Sequence, residues 1–443
     1  MRVMKWSMIA LAVAAAASTQ MASAAPFVSD QSEAKGFVED ASAKLLLRNY
    51  YFNRDRKDGF TDQKDWTQGI WGNFNSGYTQ GTVGVGIDAF GYLAVKLDGG
   101  DGTRGTGNMS VDGDGDVNDS QGKAGAAVKF RVSKTELKIG DQQPSTAPVF
   151  AVGGSRVLPQ TASGFQLQSS EVKDLDLEAG HFYSATSQDR NAREGGLFAT
   201  YAGVEANTID YAGGKYSFSD ELSASLYAAQ LEDIWNQYYG NLNYTIPMGG
   251  DQSLNLDGNI YRTTDTGSSK AGDISNTAYS LAAAFSFLKA HTITVAFQKI
   301  NGDTPFDYIG VGKNNRGGDS IFLANSIQYS DFNAPNEKSA QIRYDLKMAE
   351  YGVPGLSFMT RYVKGWDIDG SNVDASSPYA ALNYGDNGKH NETNFEAKYV
   401  VQSGPAKDLS FRVRQAWHHA NTDETEGDIK EFRLIVDYPI SVL

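Results

Sequence analysis

Arginines at alternate positions near the C-terminus are the residues of this sequence best placed to do chemistry. Arg412 and Arg414 lie in segment 409–417, on the face opposite to large apolar side chains. Arg433 lies in segment 432–442, which shows the same alternation. A period of two is typical of a β-strand with two different faces. Because a guanidinium group binds a carboxylate through two parallel hydrogen bonds, a row of them predicts a path along which an anion steps without being trapped.

The same alternation recurs along the chain in eighteen segments that we predict to be strands. They cover 41–54, 66–78, 81–97, 123–132, 135–142, 164–169, 175–184, 207–218, 222–233, 235–246, 253–263, 277–287, 291–300, 338–348, 356–364, 392–402, 409–417 and 432–442. Short and long connections alternate between them. Short turns on one side, long loops on the other and an even strand number are typical of outer-membrane barrels. We therefore predict an all-β fold, a single 18-stranded antiparallel transmembrane β-barrel with short periplasmic turns and long extracellular loops.

The connection 301–337 is too long to be an idle loop of a compact fold. It contains the apolar stretch 321–324, which predicts that the loop packs against the protein. Eighteen strands enclose an aqueous lumen, and loops folded into it are what can narrow it. We expect some of the extracellular loops to lie inside the barrel.

The N-terminus predicts an exported protein. Arg2 and Lys5 precede an apolar run that ends at Ala17, and small residues stand before Ala25. This order is that of a cleaved secretory signal peptide, residues 1–24, followed by a barrel domain, residues 25–443. The predicted location is the bacterial outer membrane.

Composition excludes several classes of protein. The formal net charge is −14 and becomes more negative when the basic leader is removed, which excludes nucleic acid as a partner. No apolar run after the leader is long enough for a membrane-spanning helix. Strands that alternate apolar and polar residues, in contrast, average to the mean hydropathy of −0.41 found here. There is no cysteine, so stability comes from packing or from the membrane.

Strand parity predicts which basic residues face the lumen. Arg361 and Lys364 stand at odd spacing on one strand, so both face inward only if the strand contains a bulge. The predicted basic ladder is Arg48, Arg54, Arg131, Arg361, Lys398, Arg412, Arg414 and Arg433. The alternative, that inward arginines pair with the inward acids Glu396, Glu431 and Asp437, stays open at this point.

Five segments resemble the OprD-type family of outer-membrane carboxylate channels. They are LRNYYFNRD at 47–55, SRVLPQT at 155–161, SDFNAPNEK at 330–338, YVVQSGP at 399–405 and DYPISVL at 437–443. The resemblance extends over the whole mature chain. It implies an eighteen-stranded substrate-selective porin with a basic ladder on one lumen wall and a constriction built by the third, fourth and seventh external loops. Arg156 and Asp307 are the expected constriction residues.

The resulting hypothesis is passive diffusion of small carboxylates, such as amino acids or aromatic acids, without enzymatic activity, cofactor or metal. The expected partners are carboxylate solutes, outer-membrane lipid and lipopolysaccharide, and the barrel-assembly machinery. A weak homotrimer is expected as well, with the monomer as its alternative, and no nucleic acid.

Other functions remain as alternatives. A general or sugar-selective porin would use the aromatic residues near strand ends, which we interpret instead as an interfacial girdle. An outer-membrane hydrolase would need one of the five histidines beside a nucleophile motif, and none has one. A plugged structural barrel would not conduct. The acidic loop 112–116 lacks the glycine and the glutamate of an EF-hand, which leaves only loose divalent binding there.

Overall fold

The computed structural model describes residues 26–57, 59–98 and 105–443, and the predicted signal peptide lies outside them. Within these residues, eighteen of the twenty-two strands form one antiparallel sheet. These strands are β1 Ser42–Arg56, β2 Gln63–Asn75, β3 Val83–Asp98, β4 Ser120–Val132, β5 Thr135–Gln142, β6 Thr161–Ser169, β7 Leu175–Thr186, β10 Ile209–Ser217, β11 Leu222–Leu231, β12 Trp235–Gly249, β13 Gln252–Asp265, β14 Ser275–Phe287, β15 His291–Asn301, β18 Lys338–Lys347, β19 Leu356–Ile368, β20 Gly388–Val400, β21 Ser410–Ala420 and β22 Ile429–Ser441.

The sheet closes on itself. β1 pairs with β2 on one side and with β22 on the other, the latter from Lys44 opposite Ser441 to Arg56 opposite Ile429. Closure removes the two sheet edges, so all backbone groups of the wall find partners within the sheet. The predicted fold class is confirmed, and each predicted strand overlaps one observed strand. The differences lie at the ends, where polar strand tips were interpreted as loops: β20 begins at Gly388 and β19 continues to Ile368.

The outer face is apolar and the inner face is polar. On β11, Leu226 is 72% exposed on the outside, whereas its neighbour Tyr227 is buried inside. The interpretation of all strand-end aromatic residues as a girdle is wrong for Tyr50, Trp71 and Tyr261, which are buried on the inner face. There they form the surfaces on which infolded loops pack.

Three loops fold into the barrel, as predicted. We call them L3 (143–160), L4 (187–208) and L7 (302–337). L4 and L7 form a small second sheet, which sequence periodicity did not predict because its strands have two or three residues. Its strands are β8 Leu197–Ala199, β9 Val204–Ala206, β16 Ile309–Val311 and β17 Arg316–Gly317. The loops share a buried cluster with the strand walls, which contains Phe150 of L3 and Phe306 of L7. Leu323, from the apolar stretch of L7, lies in the same cluster.

Among the described residues, helical structure is limited to three short 3-10 turns, Gln31–Glu33, Met348–Tyr351 and Pro378–Leu382. In the described part of the chain no helix has the length and apolar character needed to cross a membrane.

The outer face gives a direct test of which side chains meet lipid. Leu226→Arg places a charge on the lipid side of β11 and is expected to destabilise the folded barrel by about 2–4 kcal/mol. Ser223→Arg, on the lumen side of the same strand, is expected to cost much less. Urea-dependent folding into liposomes measures both, and equal costs would contradict the assigned faces.

Candidate functional site

The predicted basic residues of the last strands line one wall of a large lumen cavity. Arg414 lies directly opposite Arg433 in the register, and Arg412 lies opposite Lys398. The cavity below the infolded loops has a volume of about 1260 Å³. Its lining includes Arg48, Arg361, Lys398, Arg412 and Arg414. Inward residues on one strand recur about every 7 Å, so these basic side chains follow one another down the wall toward the periplasmic side.

Arg412 and Arg414 bring two positive charges to one negative charge. Both approach a single carboxylate, Glu396: Nη2 of Arg412 donates to it at 2.7 Å, and Nε of Arg414 lies 3.2 Å away but points off the hydrogen-bond direction. Within the described residues, neither Arg412 Nε nor Arg414 Nε has a hydrogen-bond acceptor. Both Nε atoms are buried, but the side chains are 20% and 15% exposed and line the cavity. One acid thus neutralises part of two guanidinium groups that a solute can approach.

A second group of cations surrounds Phe52, a buried inward residue of β1. The guanidinium carbons of Arg54 and Arg433 each lie 5.2 Å from its ring centroid, and that of Arg156 lies 5.5 Å away. Arg54 and Arg433 share the carboxylate of Glu431. Arg156, from L3, donates from Nε to the carbonyl of Thr106 instead. The wall therefore carries more positive than negative charge where L3 approaches it.

Two other ladder residues, Arg48 and Arg361, have donors occupied by protein groups, whereas Lys398 is exposed in the cavity. Arg48 makes a bidentate pair with Asp437 and donates to the carbonyls of Gly154 and Arg156, so it fixes L3 to the wall. Arg361 is buried on the inner face and donates twice to Asn394. Its strand neighbour Lys364 is exposed on the outer face, which settles which of the two faces inward.

Arg131 lies apart from the other ladder residues. It donates to Gln31 and Ser29 of the N-terminal segment, and its guanidinium carbon lies 3.9 Å from the ring centroid of Tyr78. Gly84 makes this possible, because any side chain there would collide with Gln31. Arg131 thus anchors the N-terminal segment, which corrects its assignment to the ladder.

The placement of Asp307 also corrects an expectation. Its side chain is 3% exposed and does not face the lumen. The carboxylate accepts hydrogen bonds from the backbone N–H groups of Tyr201, Ala202 and Tyr308 and from the hydroxyl of Tyr379. These donors come from L4, L7 and the loop 369–387. Asp307 therefore fastens three loops together.

A different acid of L7, Asp331, lies near the basic wall. Its carboxylate accepts hydrogen bonds from the hydroxyl groups of Tyr201 and Tyr308 at 2.8 and 2.9 Å. Three residues earlier, Gln328 donates to Glu431 on the wall. Three residues of chain span at most about 10 Å, so Asp331 and the two phenols lie within a short distance of the Arg54 and Arg433 pair.

Asp319 brings a second acid of L7 to the narrow region. Its side chain is exposed, its carboxylate accepts a hydrogen bond from the backbone of Gly154, and it interacts electrostatically with Arg156. Its own N–H donates to the carbonyl of Ala151 in L3. L3 and L7 thus present opposite charges beside each other.

This arrangement of an eighteen-stranded barrel, infolded loops and a basic wall agrees with comparison to known proteins. The family model described as outer membrane porin, OprD family, matches residues 35–442. The chain belongs to the OprD family. The family resemblance predicted from the five sequence segments is confirmed.

Individual members of the OprD family are similar along the whole chain. Porin D of Pseudomonas aeruginosa is 64% identical over 446 residues, which include all of both chains. A crystal structure of Pseudomonas aeruginosa OprD superposes with a TM-score of 0.84 at 60% identity, and covers 95% of this chain and 100% of the other. Pseudomonas aeruginosa OpdK, solved with vanillate, gives a TM-score of 0.82 at 34% identity, and covers 92% and 100%.

Membership in the OprD family establishes the class of function. The protein is an outer-membrane porin for small solutes, and family members are channels rather than enzymes. The predictions of location and of a non-enzymatic channel are thereby confirmed, and the hydrolase alternative is set aside.

Sequence reasoning missed Asp319, Asp331 and the phenols of Tyr201 and Tyr308. All four lie in long loops, where strand parity gives no orientation. The available signal was the position of Asp331 within one of the five family segments.

Asp307 predicts a pH dependence of loop docking. Burial raises the pKa of Asp307 to about 6 against the opposing effect of its four donors. The folded protein therefore holds this proton more tightly than the unfolded chain, and the stabilisation present below pH 4 is lost as pH rises through about 6. The asparagine side chain of the Asp307→Asn variant does not titrate in this pH range. The difference in loop-docking free energy between wild type and the variant should therefore change by about 3 kcal/mol over that range.

Protease cleavage of the loops in the native porin, followed from pH 4 to 8, measures this change. Asp62→Asn, at an exposed acid of the first external loop, serves as the control and should behave as wild type. A wild-type cleavage rate that does not vary with pH relative to Asp307→Asn would contradict the assignment.

Proposed function

We propose that this porin passes small carboxylate-bearing solutes along the basic wall, with Arg412 and Arg414 as the main binding groups below the constriction. The observation that supports this most is that one carboxylate, Glu396, serves both guanidinium groups, although both side chains line the lumen cavity. A carboxylate supplies two acceptors in the geometry of a guanidinium fork. The related OpdK was solved with vanillate, an aromatic carboxylate, which is chemistry of this kind.

The constriction selects solutes by charge. A carboxylate that enters between the external loops meets Arg156, Arg54 and Arg433 around Phe52. On the opposite side it meets Asp331 with its two phenols, which repel a second negative charge but accept hydrogen bonds from an ammonium or hydroxyl group. A solute with one carboxylate and a polar group at its other end is the best match.

Sharing of acids keeps the binding weak enough for transport. Glu431 is shared by Arg54 and Arg433, and Glu396 is shared by Arg412 and Arg414. A bound carboxylate competes with these internal acids for the same donors. Its net gain at each step is therefore small, as conduction requires. From Arg414 the solute moves to Arg412 and Lys398, which is exposed in the cavity.

The surroundings of the porin complete the proposal. Residues 1–24 direct export and are removed, and residues 25–443 form the barrel domain. Its insertion depends on the barrel-assembly machinery, its apolar outer face contacts outer-membrane lipid and lipopolysaccharide, and it associates as a weak homotrimer.

Removing the two guanidinium groups that share Glu396 tests the path. The double variant Arg412→Gln and Arg414→Gln keeps polar side chains but removes both charges, and we expect carboxylate uptake in liposome swelling to fall about tenfold. Uptake of a neutral sugar of equal size should change less than twofold, because pore width is retained. Arg262→Ala removes an exposed arginine of the outer face and should leave both rates unchanged. Equal losses for acid and sugar would contradict selection by these arginines.

Removing negative charges from L7 tests the constriction, in contrast to the removal of positive charges above. Asp331→Asn and Asp319→Asn each remove a negative charge facing the basic group, so both should shift the zero-current potential in a salt gradient toward anion selectivity. Asp374→Asn, at an exposed acid of loop 369–387, is the matched control and should cause a smaller shift. Shifts of equal size in all three would place Asp319 and Asp331 outside the constriction.

A further inference from the structure

Two histidines and two glutamates converge at the extracellular end of the barrel wall, in a cluster that the transport path does not use. His390 and His418 stand near the outer ends of β20 and β21, and Glu424 and Glu426 belong to the connecting loop 421–428, which we call L9. Each residue offers one ligand atom, and the four atoms all lie within 4.8 Å of one another.

The far nitrogen of each imidazole is held by an acceptor. His390 Nε2 lies 2.7 Å from Glu337 Oε1, and His418 Nδ1 lies 2.7 Å from the carbonyl oxygen of Gly427. A carbonyl and a carboxylate only accept, so both far nitrogens carry protons. The near nitrogens, His390 Nδ1 and His418 Nε2, then direct two lone pairs at each other across 2.8 Å. Two lone pairs at this distance need either an extra proton or a metal ion between them.

The charge of the cluster also favours a bound cation. Glu337, Glu424 and the two histidines are each at least 95% buried. Within the described residues, no lysine or arginine forms an ion pair with Glu337, Glu424 or Glu426. Glu426 Oε2 has no hydrogen-bond partner there and lies 3.6 Å from His418 Nε2 and 4.0 Å from His390 Nδ1. Buried carboxylates without cations are costly, and a divalent ion would balance them.

We propose that His390, His418, Glu424 and Glu426 bind a divalent transition-metal ion of the zinc type. Two imidazole nitrogens and two carboxylate oxygens suit tetrahedral zinc, whereas calcium and magnesium prefer oxygen ligands alone. Bond lengths of about 2.0–2.1 Å place tetrahedral ligand atoms roughly 3.3 Å apart, so the two near nitrogens need to separate by only about half an ångström. Glu337 positions the His390 ring, in the manner of a carboxylate–histidine–zinc triad.

The walls of the site are shaped for this arrangement. The ring of Phe332 lies over His390 at 4.2 Å, and the ring of Tyr329 lies 5.0 Å from His418. Gly365 faces the Glu337–His390 pair, and any side chain there would collide with both groups. A bound ion would fix L9 to β20 and β21, and Tyr329 of L7 donates to the carbonyl of Glu426 in L9. Because Tyr329 also stacks on Arg54, at 4.8 Å, the ion would hold part of the constriction in place.

Titration of the intact, chelator-treated porin with zinc ions by calorimetry tests the site. We expect one ion per chain, and no comparable binding of magnesium. His418→Ala and Glu426→Gln should each weaken zinc binding at least tenfold. His419→Ala is the matched control: this neighbouring histidine is exposed and interacts with Asp428, so its loss should not change zinc affinity.

A crystal soaked with zinc should show anomalous scattering between His390 Nδ1 and His418 Nε2, which tests the proposal even if His418→Ala does not fold. Glu426→Gln, a conservative change, gives a second folded comparison. The proposal is overturned if wild type binds no stoichiometric zinc, which would leave a shared proton between the imidazoles. It is also overturned if His419→Ala abolishes binding while Glu426→Gln does not. Carboxylate uptake is measured separately, and its result does not decide whether the ion binds.

Discussion

The closure of one sheet is the constraint on which the rest of the molecule depends. A backbone N–H or C=O that meets hydrocarbon without a partner costs several kcal/mol, so a chain crosses a bilayer as strands only if the first strand pairs with the last. Here the pairing of β1 with β22 meets this requirement. Because side chains alternate, closure decides at the same time which residues meet lipid and which meet water. Arg48, Arg54, Arg412, Arg414 and Arg433 point into the lumen for this reason, and the outer face stays apolar.

Inward arginines have two tasks, holding a loop and binding a solute, and the two tasks require opposite bonding. In this structure different arginines perform each task. An arginine that holds a loop must have its donors saturated by protein acceptors, as Arg48 does with Asp437 and two carbonyls of L3. An arginine that binds a passing solute must keep part of its charge unpaired and reach the lumen, as Arg414 does, because it shares Glu396 with Arg412 and lines the cavity. The pairing alternative left open by the sequence is therefore correct for part of the set. Pairing with Glu396 is itself partial, because one carboxylate serves two guanidinium groups.

The sequence predicted the barrel well because a strand with two different faces carries a periodic signal. The alternation predicted all eighteen wall strands. It is also compatible with the observed orientations, in which Arg361 faces inward and Lys364 faces outward. The signal ends where the strands end. Nothing in the residues around Asp307 indicates that its carboxylate turns away from the lumen to meet four donors, and nothing assigns Asp331 to the lumen. The alternation correctly predicted that Arg131 faces inward. Its partners Gln31 and Ser29 come from a segment without periodicity, so the alternation could not predict these contacts.

A lumen enclosed by eighteen strands is wider than a small solute, so selectivity depends on loops that long chain segments must hold in place. Apolar packing of Phe150 and Phe306 attaches the loops to the wall, but it does not fix their exact positions because it is not directional. A few buried polar groups fix these positions: Arg48 beneath L3, Asp307 between L4 and L7, and Glu337 with His390 where L7 rejoins the wall. Each is satisfied by partners from different loops, so a change at any one leaves buried groups without partners and loosens several loops together. The width of the constriction is therefore coupled to these groups.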